Sequence, residues 1–275
     1  MKKNFKIIIN LCIIALKTIF TSIIIFTFYS KLSFSNDFEE NIEIKSYIRG
    51  INLADAEAII KIKNGIYDIK MQAKTIGIFS IFSNWEQKIL ANGKFRNSEF
   101  FSKMYYSEDR REKKKGHIKI IFNNGIPKLV SAQPNPKGDK RRKEIDTKLL
   151  ENVVGPISGI LNLGLNNNCK KKSDVFDGKR RYSIEPTKIK TEILKETTFL
   201  KNNVKAIKCS FKINKIAGYT EKEIKKFPNG GYLWLAKFEK SNLYFPVKLK
   251  IKSSWGNFIC LIKERKKEEY ESNYM

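Results

Sequence analysis

Apolar and polar residues alternate along most of this chain, and that rhythm constrains the fold more than any other feature. A repeat of two belongs to an extended strand, whose successive side chains point to opposite faces; a helix needs 3.6. In residues 207–214, Ile207, Cys209, Phe211 and Ile213 fall on one face, and Lys208, Ser210, Lys212 and Asn214 on the other. Phe245, Val247, Leu249 and Ile251 repeat the pattern against Pro246 and three lysines. So do Tyr67, Ile69, Met71 and Ala73, then Ile118, Ile120 and Phe122, and finally Phe258, Cys260 and Ile262. Tyr232, Trp234, Ala236 and Phe238 form a further row, with Leu233 and Leu235 opposite. Between these runs stand Asn64-Gly65, Asn92-Gly93, Asn124-Gly125, Asp177-Gly178 and Asn229-Gly230. These dipeptides accept positive φ and suit tight hairpins between right-twisting strands. The pattern predicts an antiparallel meander, mainly β. Strands do not alternate with long helices, and no glycine-rich phosphate loop occurs, which argues against a doubly wound nucleotide fold.

One segment breaks the rhythm. Residues 144–165 carry apolar residues at helical spacing, and Pro156 suits a first helical turn with Ser158 just inside it. It predicts one or two short helices that plug or cover the sheet, or whose apolar face gates a cavity. Residues 133–143 read as a charged, proline-containing loop.

The N-terminus reads as an export segment. Three lysines within the first six residues precede two apolar stretches, 7–16 and 18–29, and Ser33 and Ser35 suit a peptidase site after Ser35. The alternative is an uncleaved inner-membrane anchor over residues 7–29, with Lys17 at its centre. The expected organisation is a signal peptide over 1–35, a single β-rich domain over 36–265 and a frayed charged tail over 266–275.

The formal charge of +26 would suit a nucleic-acid binder. Lysine, however, outnumbers arginine 45 to 9, the residue choice of an A+T-rich coding sequence. Arginine, which makes the bidentate contacts to bases and phosphates, is scarce. Removing the five lysines of the first 35 residues leaves +21 on an exported chain. There an anionic membrane surface is the nearest acidic partner, and nucleic acid is not expected. A single histidine, His117, argues against a histidine-rich metal site or a Ser-His-Asp arrangement. No catalytic residue, metal or cofactor is expected. Three cysteines remain after Cys12 leaves with the signal, enough for one disulfide and one free thiol.

A set of local motifs resembles a bacterial family of unknown function, DUF3108. The motifs are Gly155-Pro156-Ile157-Ser158-Gly159-Ile160-Leu161, Cys169, Val175-Phe176-Asp177-Gly178-Lys179-Arg180-Arg181-Tyr182, Cys209, Ile216-Ala217-Gly218-Tyr219, and Phe245-Pro246-Val247 before Gly256. Gly155-Pro156 stands where Asp-Pro is expected. The resemblance implies an exported envelope protein of Gram-negative type, in the periplasm. It also implies a strongly curved antiparallel sheet or open β-barrel, by analogy with the lipoprotein-carrier (LolA/LolB-like) folds, with short helices packed on it. The cysteines within the motifs imply a Cys169–Cys209 bridge, leaving Cys260 as the odd thiol.

Two groupings are candidates for binding. Lys179, Arg180 and Arg181 would form a basic site for an anionic group, or Asp177-Gly178 simply makes a turn there. Trp234, Tyr219 and the other aromatics would line a cavity for a lipid or other apolar ligand, or fill a core. The expected function is non-enzymatic: an envelope protein that holds an apolar ligand, or an assembly factor that engages another envelope protein through a sheet edge.

Overall fold

The structure, a computed structural model, describes residues 37–164, 169, 171–195, 203–237, 243–253 and 256–264. The expected export segment, the charged tail and Phe238 lie outside the described residues. Thirteen strands form one sheet in which every ladder is antiparallel.

Strands β1 (Phe38–Ile48), β2 (Ile51–Lys63), β3 (Ile66–Thr75), β4 (Trp85–Arg96), β5 (Glu99–Arg111), β6 (Lys114–Asn123) and β7 (Ile126–Gln133) form one meander. Two-residue turns join all but one neighbouring pair, and Asn64-Gly65 and Asn124-Gly125 place both turn residues at positive φ. That geometry matches the right-handed twist of the strands. The exception is the β3–β4 connection, which holds the short helix α1 (Ile78–Phe82).

A second run comprises β8 (Ser173–Phe176), β9 (Arg181–Leu194), β10 (Val204–Ala217), β11 (Gly230–Lys237), β12 (Tyr244–Ser253) and β13 (Gly256–Glu264). Its last strand returns to the first of the chain, with Ile44 opposite Ile262 and Ser46 opposite Cys260. The order therefore runs around a nearly closed barrel, from β7 through β1 and β13 to β8. Residues 153 and 154 lie across the remaining gap. Val153 N–H donates to Gly125 O at the β6–β7 turn, and Val154 pairs with Val175 of β8.

Two of the expected hairpin turns fall elsewhere. Asn92-Gly93 lies within β4, at a bulge opposite Ser102 and Met104. A Cβ on Gly93 would overlap Phe101 O and the Tyr67 ring, so close approach of chains, and not turn geometry, requires glycine there. Asn229-Gly230 opens β11 after a connection that carries α3 (Glu221–Lys226), which begins with a capping box between Thr220 and Glu223.

Helix α2 (Pro156–Gly164) lies inside the sheet, packed on β5, β8, β9 and β12. Small residues let it fit: a Cβ on Gly159 would meet the Val175 side chain, and one on Gly164 would meet Leu235. Its polar residues face the sheet and are satisfied there. Tyr67 Oη and Ser158 Oγ are hydrogen-bonded at 2.8 Å, Ser102 Oγ donates to Ser158 at 2.9 Å, and Gly155 N–H donates to Ser102 Oγ at 2.9 Å. Asn162 serves the backbone of Phe100 twice, accepting from its N–H at 2.8 Å and donating to its carbonyl at 3.0 Å. Pairing of β5 with β6 begins only at Met104, so Asn162 supplies what the missing strand would have supplied. Cys169, just after the helix, is disulfide-bonded to Cys209 of β10, with Cα atoms 6.0 Å apart.

Asn162→Ala would orphan a buried donor and a buried acceptor at once. We expect a loss of about 1–3 kcal/mol in urea unfolding, against a neutral effect for a change at the exposed Ile66.

Candidate functional site

Burial along β3 falls off in one direction. Tyr67 and Ile69, level with α2, are fully buried, whereas Met71, Ala73 and Thr75 on the same face are half-buried. On β4, Ile89 and Ala91 are likewise buried and Gln87 and Trp85 are not. The inward row thus runs from a filled end into open space. That space is a cavity of about 690 Å³. Ile157, Ile160 and Leu161 of α2 form its floor, and Ile44, Ile60, Met71, Leu233, Leu249 and Ile262 contribute to its walls. At the other end stand Leu53, Asp55, Thr75, Phe79, Phe82, Trp85 and Arg111.

The lining is predominantly apolar, and its few polar groups gather near the mouth. Gln87 donates to Ser107 at 3.2 Å, and Asp55 accepts from Asn52 at 3.0 Å. Arg111 is the one basic lining residue, and no carboxylate among the described residues pairs with it. Among the described residues Cys260 is the free thiol, on the cavity wall 3.5 Å from Ser46 Oγ; burial pushes its pKa up, so it stays protonated. Burial also raises Tyr67, and takes Tyr105 up to about 12, so both remain neutral phenols at physiological pH.

Trp234, Tyr219 and the basic cluster at 179–181 lie elsewhere. Trp234 points away from the cavity, because its neighbour Leu233 points into it. Its ring is covered on the outer face by the ammonium groups of Lys208 and Lys248, at 4.9 and 4.8 Å, from the flanking strands. Lysine alternation on β10 and β12 places those charges opposite the indole.

Lys179, Arg180 and Arg181 do not share a site. Arg181 is buried, donating to Leu149 O and Tyr182 O and pairing with Asp174 at 3.0 Å. Arg180 pairs with Asp177 at 2.8 Å and lies over the Phe227 ring at 4.6 Å, with Tyr219 at 6.0 Å. Asp177 also accepts the backbone N–H groups of Lys179 and Arg180, shaping the β8–β9 turn. Tyr219 is buried against Phe227, and desolvation holds its hydroxyl well above the usual phenol range. Arg142, from the segment after β7, pairs with Glu223 at 2.8 Å and donates to Gly218 O. These residues form a neutralised polar seam that fastens residues 134–152 to the end of the sheet. Asp174 and Asp177 serve different arginines. His117 is half-buried on β6 opposite Glu108.

Of the aromatics expected to line a cavity, Phe79, Phe82 and Trp85 do so, at the mouth. The run Ile76-Gly77-Ile78-Phe79-Ser80-Ile81-Phe82 has no charge and interrupts the alternation between two strands, which is the signal that marks it.

The chain belongs to the family described as "Protein of unknown function (DUF3108)", which matches residues 41–262. Among solved structures, the chain is similar to the beta-barrel-like protein of domain of unknown function DUF1849 from Brucella abortus, with a TM-score of 0.41 and 8% sequence identity. That similarity covers 83% of this chain and 98% of the other. No curated protein matches.

The seam carries a pH dependence. Burial raises Glu223, but the Arg142 hydrogen bond, the Thr220 N–H and the charges of Arg142 and Arg180 outweigh it and hold its carboxyl below 4.5. A carboxyl depressed on folding contributes stability above its unfolded value, and that contribution is lost as pH falls through the folded one. Proteolysis of residues 134–152 is therefore expected to speed up only below about pH 4.5, with Glu223→Gln removing the transition.

Proposed function

We propose that this protein binds a small apolar or amphiphilic ligand, with the ligand's apolar part in the lumen and any polar head at the mouth beside Arg111. The observation that carries this reading is the 690 Å³ cavity, floored by α2 and open toward α1. Its size falls within the roughly 300–1,000 Å³ of small-molecule sites. Walls of Ile, Leu, Ala and Met favour hydrocarbon and offer few polar partners, so the chemistry suits an acyl chain better than a sugar or nucleotide. The lining has few groups able to activate a substrate, which favours holding a ligand over transforming one.

We also propose that the protein works in the periplasm. The support is the lysine-led apolar segment 7–29 and the small residues at Ser33 and Ser35. Cleavage there starts the mature chain at Asn36, which N-terminal sequencing of envelope fractions reads directly; a chain starting at Met1 instead indicates the anchor. A second reading, an assembly factor that pairs with another envelope protein, has one observation in its favour. The outer edge of β7 has no strand partner among the described residues.

Ala73 faces the lumen beside open space, so Ala73→Trp fills the cavity without displacing a packed neighbour. Titration with the apolar dye N-phenyl-1-naphthylamine is expected to show at least about tenfold weaker binding for the variant, equivalent to about 1.4 kcal/mol, with unfolding unchanged. A wild-type protein that neither binds the dye nor yields any apolar species on solvent extraction would count against the reading.

A further inference from the structure

Helix α1 buries none of its five residues. Ile78 is 57% exposed, Ile81 81% and Phe82 76%, and Ile51 nearby is 53% exposed. Other exposed isoleucines, such as Ile66 and Ile126, occur singly at hairpin ends and need no explanation. Three large apolar side chains on one helical turn do, because contiguous apolar surface costs solubility unless something covers it.

The turn is also built. Five residues cannot hold a helix by themselves, so the scaffold must hold it. Thr75 Oγ1 donates to Ser83 O at 2.8 Å and accepts from Trp85 N–H at 3.0 Å, closing the base of the loop. Ile76 N–H donates to Leu53 O at 3.2 Å, tying the loop to β2. Glu112 N–H donates to Asn84 O at 3.0 Å, tying it to the β5–β6 turn. Phe79 turns inward to the lumen, while Ile78 and Ile81 stand outward on the same helix.

The surroundings say what covers this tip. The turns and strand ends at this end of the barrel carry Arg49, Lys74, Arg111, Lys113, Lys114 and Lys252 against Asp55, Glu86 and Glu112. Glu86 is already paired with Arg110, at 4.0 Å. The patch is thus an uncharged apolar tip within a basic ring. That is the pattern of an element that sinks apolar side chains to the headgroup boundary while lysines meet anionic lipid. A protein partner would need acidic groups fitted to this ring; an anionic bilayer supplies them everywhere.

We infer that α1 is a membrane-contact tip: Ile78, Ile81 and Phe82, with Ile51, enter the interface of an anionic bilayer, and the lumen mouth then faces the lipid. The inference stands on the exposure of α1 and the charge around it, independently of what the lumen holds.

The test is flotation with vesicles. Among the described residues the core runs from Ile42 to Val247, so the chain from Asp37 onward carries all of these and removes the apolar N-terminus from the measurement. It is expected to float with phosphatidylcholine vesicles containing phosphatidylglycerol, to bind pure phosphatidylcholine far less, and to release as salt rises to about 1 M. The double variant Ile81→Ser/Phe82→Ser should partition at least about tenfold less while unfolding at the wild-type temperature, because neither side chain is packed. Lys113→Glu/Lys114→Glu should weaken binding to anionic vesicles, and Ile66→Ser/Ile126→Ser at the far end should not. Failure of the wild type to float, equal binding by the α1 variant, or equal loss in the far-end control each overturns the inference. So does a dimer that the α1 variant abolishes while vesicle binding stays absent.

Discussion

The rest of the molecule depends on the hydrogen-bonded seating of α2 inside the sheet. A thirteen-stranded barrel is too wide for its own side chains to fill, so something must occupy the interior or leave it open. Here α2 occupies one end. Ser158 and Asn162 are satisfied by Tyr67, Ser102 and the Phe100 backbone, so placing a helix among buried strands leaves none of these groups orphaned. Glycines at 159 and 164 allow the approach, and the Cys169–Cys209 bridge holds the exit of the helix to β10. The same segment, through Val153 and Val154, spans the gap between the first and last strands of the sheet. One insertion therefore closes the barrel and floors the cavity.

Charge is arranged around this frame by two different rules. On the outer faces it follows the alternation: Lys208 and Lys248 cover Trp234 because the strand period places them there. At the β8–β9 turn it follows packing: Arg142, Arg180, Asp177 and Glu223 neutralise one another between aromatic rings. The arginines that resembled an anion site are committed to structure. Among the residues that line the lumen, the cation without a carboxylate partner is Arg111, at its mouth.

Much of the fold was legible in the residues. The rows at 67–73, 118–122, 207–213 and 258–262 are strands, Asn64-Gly65 and Asn124-Gly125 are tight turns, and Pro156 opens a helix. Asn92-Gly93 misled because a glycine can be demanded by close approach as well as by a turn, and the string alone does not distinguish the two. The site was less legible. Leu233 and Trp234 are adjacent and both apolar, and alternation cannot say which of two apolar faces is the inside. Only the curvature of the sheet assigns Leu233 to the lumen and Trp234 to the outside.

By itself, then, the sequence determined the local level: extended chain, two-residue turns, one short helix, and a family that the chain shares through its motifs. These depend on the side chains of a few neighbouring residues, and so can be read within a short window. The tertiary structure decided that β13 closes on β1, that α2 enters the barrel and stops partway, and that α1 is left uncovered at the rim. Each is a contact between residues far apart in the chain. The volume left over after they form, which is the cavity, belongs to the assembled strands together and to no segment alone.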